Sequence, residues 1–107
     1  MAVINVSEKE PWIVGRWAFR AVLEPTIDAL ADDNDKEVVV RALALDGLHF
    51  SLIDPTQARR IASTLSKVAE KVRTSLIEAD PATLQPGDVE FIDYLNRLES
   101  SLHEYSA

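Results

Sequence analysis

Residues 54–80, DPTQARRIASTLSKVAEKVRTSLIEAD, decide the fold. Asp54 is a strong N-cap, Pro55 suits the first helical position, and Gln57 completes a D-x-x-Q capping box. Ala58, Ile61, Ala62, Leu65, Val68, Ala69, Val72, Leu76 and Ile77 then recur at i, i+3, i+4, i+7 spacing, which puts them on one face of a helix. Asp80-Pro81 ends the run, because the residue before a proline is pushed out of the α region. The spacing predicts a helix over 55–79, about 35–38 Å long at 1.5 Å per residue.

A second helix is predicted C-terminal to it. In PGDVEFIDYLNRLESSLHEY, residues 86–105, Val89, Ile92, Leu95, Leu98, Leu102 and Tyr105 step by three or four, and Phe91 widens the stripe. Asp88 and Glu90 sit in its first turn, where the helix dipole favours negative charge. The expected span is 87–105. The intervening DPATLQPG is short enough to make the two helices antiparallel neighbours.

Towards the N-terminus the pattern is more mixed. EPWIVGRWAFRAVLEPTIDALADD reads as helix from about 10 to 32, with Pro25 kinking or dividing it near Glu24. Ser7 and Glu10 offer an S-x-x-E capping box that supports a start near residue 8. NDKEVVVRALALDG has Asn34 or Asp35 as cap and Gly47 as C-terminal stop. Its VVV carries β propensity, but Val38, Val39, Ala42, Leu43 and Leu45 follow helical spacing better than alternation, so helix is expected. GLHFSLID reads as extended and can pair with AVINV at the N-terminus as a two-stranded ribbon. The expected fold is all-α: a single-domain bundle of four to five helices over residues 1–107, with a short extended N-terminal segment.

Composition narrows what such a bundle does. A chain of 107 residues has room for one core. It contains no cysteine, so disulfides and thiolate metal sites are excluded. The start, MAVINVSEKEPW, has no basic segment followed by a long apolar run, and no stretch reaches 18 apolar residues. A cytoplasmic protein without a membrane span is expected. Net charge is −7, unevenly spread. Residues 24–54 carry a net −6, residues 55–77 a net +4, and residues 78–107 a net −6. Such alternation favours antiparallel packing with complementary flanks. It argues against nucleic acid, which needs a clustered positive face with little acid around it. Arg59, Arg60, Lys67, Lys71 and Arg73 occupy positions left by the apolar stripe of their helix, and salt bridges to acids of neighbouring helices are expected for them.

The densest acidic stretch is LADDNDKE, residues 30–37. As a calcium loop it fails in both registers: started at Asp33 it places Val38 at the glycine position and Ala44 at the bidentate glutamate, and started at Asp32 it places Glu37 and Leu43 there. Its helix-end reading has Asp32 and Asp33 closing one helix while Asn34 and Asp35 cap the next. Neither His49 nor His103 has a second ligand at zinc spacing; His49 is expected to be half-buried and His103 to lie on the surface. With three glycines, Gly15, Gly47 and Gly87, there is no phosphate-cradling loop, and no G-x-S-x-G elbow occurs. No catalytic residue, cofactor or metal is expected, and the chain is read as a non-enzyme.

PWIVGRWAFR, residues 11–20, is the other distinctive stretch. On a helix Trp12 and Arg16 stand one turn apart, so a guanidinium could lie over an indole. Trp12 and Trp17 would be rotated about 140° from one another, so one of them belongs at a core edge or a contact surface. Gly15 between them could permit close helix approach. Tryptophan and arginine dominate interface energetics. Candidate partner-binding residues are therefore Asp28, Asp32, Asp33, Asp35, Glu37, Trp12 and Arg16.

In size, acidity and helical content the chain resembles the immunity proteins that neutralise basic bacterial nuclease toxins, although no residue motif accompanies the resemblance. It implies an acidic inhibitor that covers a basic protein partner. The alternative is a homo-oligomeric structural or accessory protein, such as a homodimer, packed through its long amphipathic helices.

Overall fold

The computed structural model describes residues 2–6, 11–78 and 86–106. In chain order these form β1 (Ala2–Asn5), β2 (Trp12–Val14), α1 (Arg16–Ala29), α2 (Asp33–Leu45), β3 (Gly47–His49), a 3-10 turn (Phe50–Leu52), α3 (Pro55–Glu78) and α4 (Pro86–Ser106). The fold is a small four-helix bundle with a three-stranded sheet set against it. Its radius of gyration, 13.3 Å, is that of a compact chain of this length.

The helix predicted over 55–79 is α3, Pro55–Glu78, and its N-cap forms. The Asp54 carboxylate accepts from the backbone N–H of Thr56 (3.1 Å) and of Gln57 (3.3 Å). Ala58, Ile61, Ala62, Leu65, Val68 and Ala69 are buried, as their spacing requires. Ile77 departs from the expected stripe and is 54% exposed, because sixteen residues beyond Ile61 the 100° step has carried it off the packed face. Asp80-Pro81 lies outside the described residues. On α4 the buried line is Phe91, Leu95, Leu98 and Leu102. Val89, expected in that stripe, is exposed: Phe91 sits 200° away from it and takes the core.

Tyr105, near the end of α4, stacks on Phe50 just ahead of α3, with ring centroids 5.3 Å apart. Glu99, one and a half turns earlier, pairs with Arg73 in the second half of α3. The two helices therefore run antiparallel.

The main departure from the sequence reading lies at residues 11–15. No helix begins there. Trp12, Ile13 and Val14 form a strand whose exposure alternates, 6%, 48% and 4%. Gly15 then N-caps α1 in extended backbone. A short run of aromatic and β-branched residues suits a pleat, and the adjacent β1 supplies the ladder that a lone segment lacks. The Ser7–Glu10 capping box lies outside the described residues. Strand β1 is central: it pairs antiparallel with β2 (Val3 opposite Ile13) and parallel with β3 (Ile4 opposite Leu48). The expected AVINV–GLHFSLID pairing thus forms over Gly47–His49 only, since Phe50–Leu52 coils into a 3-10 turn instead of staying extended, and β2 makes the ribbon a three-stranded sheet. Ala2, Ile4, Trp12, Val14 and Leu48 face the core together.

Pro25 neither divides nor ends α1, which continues to Ala29. The proline is on the exposed side, and the neighbouring Thr26 hydroxyl, fully buried, donates to the Val22 carbonyl (2.8 Å). Helix α2 is capped by Asp32, two residues before Asn34 and three before Asp35, the caps expected from the sequence. It is ended by Asp46 rather than Gly47. Asp46 is in the left-handed region (φ 54°, ψ 31°), which aspartate tolerates better than most residues. Its carbonyl accepts from Val3 N–H (3.1 Å), so the helix stop and the β1–β3 junction are one feature.

Candidate functional site

The acids of residues 24–37 gather where α1 gives way to α2. Leu30, buried, anchors the turn and donates its N–H to the Thr26 carbonyl (3.0 Å). Asp32 Oδ1 accepts from the backbone N–H of Asn34 (2.8 Å) and Asp35 (3.2 Å), satisfying two donors that the first turn of a helix leaves open. Asp33 stands in that first turn beside the positive end of the helix dipole.

Asp35, expected on a partner-binding surface, points inward with its side chain only 2% exposed. Arg60 of α3 closes a two-bond fork on it, Nε to Oδ2 at 3.0 Å and Nη2 to Oδ1 at 3.1 Å. This hydrogen-bonded guanidinium holds the carboxyl below its ordinary value against the opposing effect of burial, and Gln57 adds a further hydrogen bond. An aspartate so held is ionised at neutral pH and has no proton to offer as a general acid. Its work is to tie α2 to α3.

The remaining proposed residues divide between surface and core. Glu37 is exposed and pairs with Arg41 one turn on (2.9 Å). Asp28 and Asp33 are exposed and have no side-chain partner among the described residues. Trp12 is buried in β2 and its indole N–H donates to the Tyr94 carbonyl of α4 at 2.6 Å. Arg16 reaches Asp46 at 2.6 Å instead of lying on Trp12. The expected Trp12–Arg16 contact does not form, because a strand and a helix boundary separate the two; the guanidinium that does lie over a ring is Arg97, 5.9 Å from the centre of Tyr94. The exposed tryptophan is Trp17, at 56%, with its ring edge-on to Phe91 (5.1 Å, 70°). The two tryptophans do not share a helix as expected: β2 turns Trp12 inward and α1 leaves Trp17 at the edge.

The outward face of α2 carries Asp33, Glu37, Val40 and Ala44 at i, i+4, i+7 and i+11, all exposed, so it grades from acidic to apolar. His49 is half-buried and His103 exposed. Among the described residues no three histidines or carboxylates gather where they could hold a metal, and no buried side-chain nitrogen or oxygen lacks a hydrogen bond. No described helix is long and apolar enough to cross a membrane. Comparison of the chain with protein-family models, with characterised proteins and with solved structures finds no match.

Proposed function

We propose that this protein acts by binding another protein, and that the acidic corner of α1 and α2 meets a basic surface on that partner in the manner of an immunity-type inhibitor. One observation carries the reading. The acids of the corner divide into those that build it, Asp32 by capping and Asp35 by the fork with Arg60, and those left facing solvent, Asp28, Asp33 and Glu37. A rigid frame that presents like charges outward speeds encounter with an oppositely charged partner and orients it.

The test separates presenting acids from building acids. Asp28→Asn, Asp33→Asn and Glu37→Gln together remove three outward charges and leave the cap and the fork in place. The partner, isolated on the wild-type protein and purified, should associate with the variant roughly tenfold more slowly at low salt, within the range that steering commonly supplies. Association should also depend less on salt, and dissociation should change little. Equal association rates for the two proteins would remove the corner from recognition.

Self-association is the second reading, and it has its own observation. Leu45 (79%), Leu52 (83%) and Trp17 (56%) are large apolar side chains left in solvent. Sedimentation over a hundredfold concentration range distinguishes the two: a mass that doubles with concentration supports the homodimer.

A further inference from the structure

The basic face of α3 raises a separate question. Of its cations, Arg60 is taken by Asp35 and Arg73 by Glu99. Lys67 and Lys71 are exposed and have no ion-pair partner among the described residues. They stand one turn apart, where like charges repel each other. Beside them runs a groove between α3 and the end of α1. Val68, Val72 and Leu76 line it from α3, and Pro25 and Ala29 line it from α1. Val68 is 8% exposed, and Val72 and Leu76 are half-buried, so the groove has an apolar floor open to solvent. The three floor residues repeat every fourth position, as a helix ridge does, and the two lysines form a parallel row along its edge.

We propose that this groove takes an acidic amphipathic helix from a partner protein, its apolar stripe on Val68, Val72 and Leu76 and its carboxylates beside Lys67 and Lys71. The groove spans residues 64–76 of α3, about 18 Å at 1.5 Å per residue, which is a little over three turns of a docked helix. A docked helix presents apolar anchors at i, i+3 or i+4 and i+7, and the ridge of Val68, Val72 and Leu76, at i, i+4 and i+8, gives such a stripe a continuous apolar surface to lie along. Charge selects the occupant: an acidic flank relieves the lysine pair and a basic one adds to its repulsion. The lysine edge of the groove attracts the opposite sign from the acidic corner, which it adjoins at Asp28, and the inference does not depend on the corner being used.

The full chain, labelled with nitrogen-15, is titrated with two synthetic helical peptides of fourteen residues. One has leucine at i, i+4 and i+7 flanked by glutamate; the other has lysine in place of every glutamate. The glutamate peptide should shift the amide signals of Thr64–Leu76 and Thr26–Ala29, and bind at least tenfold more tightly than the lysine peptide. Lys67→Glu with Lys71→Glu, both on the surface, should keep the spectrum of a folded chain and reverse that preference. The Asp33→Asn, Glu37→Gln variant, which leaves Asp28 next to the groove wall in place, should bind the glutamate peptide as the wild type does. Absence of groove shifts at millimolar peptide, equal affinity for the two peptides, or shifts confined to another surface would each overturn the proposal. Self-association of the wild type that the lysine reversal abolishes would assign the groove to a second copy instead. Laurate shifting the same signals at lower concentration than the peptide would assign it to a small amphiphile.

Discussion

At Asp35 a carboxylate sits where almost no solvent reaches it, while its partner Arg60 keeps half of its side chain in water (2% and 51% exposed). That asymmetry limits the strength of the pair, since the guanidinium is screened and can be rehydrated. Asp35→Asn should lower the melting temperature by about 4–8 °C, the shift that roughly 1 kcal/mol produces in a domain near this size. Its pH dependence has a definite sign. Folding lowers the Asp35 carboxyl from the ordinary value it has in the unfolded chain, because the Arg60 guanidinium is hydrogen-bonded to it. The stabilisation is therefore full above the unfolded value and drains away as pH falls through it towards the folded one. Wild-type stability should drop over that acid window more steeply than that of Asp35→Asn, as urea unfolding at a series of pH values would record; parallel curves would show that the fork does not persist in solution. The tryptophans allow a second measurement at this scale. Trp12→Phe should leave a red-shifted emission readily quenched by acrylamide, from Trp17, whereas Trp17→Phe should leave a blue-shifted, protected one. The reverse pattern would place Trp17 in the core and return residues 11–15 to a helix.

Helices α2 and α3 differ in how firmly they are held. Helix α3 buries a continuous line of side chains, and Leu65 within it is fully enclosed. Leu65→Ala should cost about 2–5 kcal/mol in chemical denaturation, as large-to-small changes in enclosed sites do. A cost under about half a kcal/mol would require rotating the helix. Helix α2 buries only Asp35, Val39 and Ala42, and one of those three is charged. Its hold on the bundle rests on the Asp32 cap, the Arg60 fork and the Arg16–Asp46 pair at its far end. In native-state hydrogen exchange α2 should open at lower free energy than α3, because few buried contacts oppose its opening. Simultaneous exchange of both helices would mean that α2 is held as strongly as the core.

Across the whole molecule, the charge blocks of the sequence meet in part, through Arg60 and Arg73 of the five α3 cations expected to pair. Acid from α2 meets Arg60 of α3, and Arg73 of α3 meets Glu99 of α4, as complementary flanks predict. These pairings consume some of the acid that a cation would need. Millimolar calcium should therefore leave the melting temperature unchanged; any ligand of the native state raises it by mass action, so a clear rise would mean that the acidic corner binds the ion. The corner and the groove then remain as surfaces of opposite sign, each left with charges that no described neighbour neutralises.

Period and caps were enough to read α3 and α4 from the sequence. Asp54-Pro55 and the i, i+3, i+4 recurrence act within a few residues, and a stripe along a long helix has one stable orientation, towards the core. The charge blocks were legible for the same reason. Other features depended on residues far apart in the chain. Trp12, Ile13 and Val14 suit helix or strand when read alone, and β1, brought alongside by the fold, decides for strand. Asp35 looks in sequence like one more surface acid, and only Arg60, twenty-five residues away, turns it inward. The groove on α3 likewise exists only because α1 ends beside it. Local periodicity determined which helices form, and non-local pairing decided which of their charged and aromatic side chains were left facing the solvent.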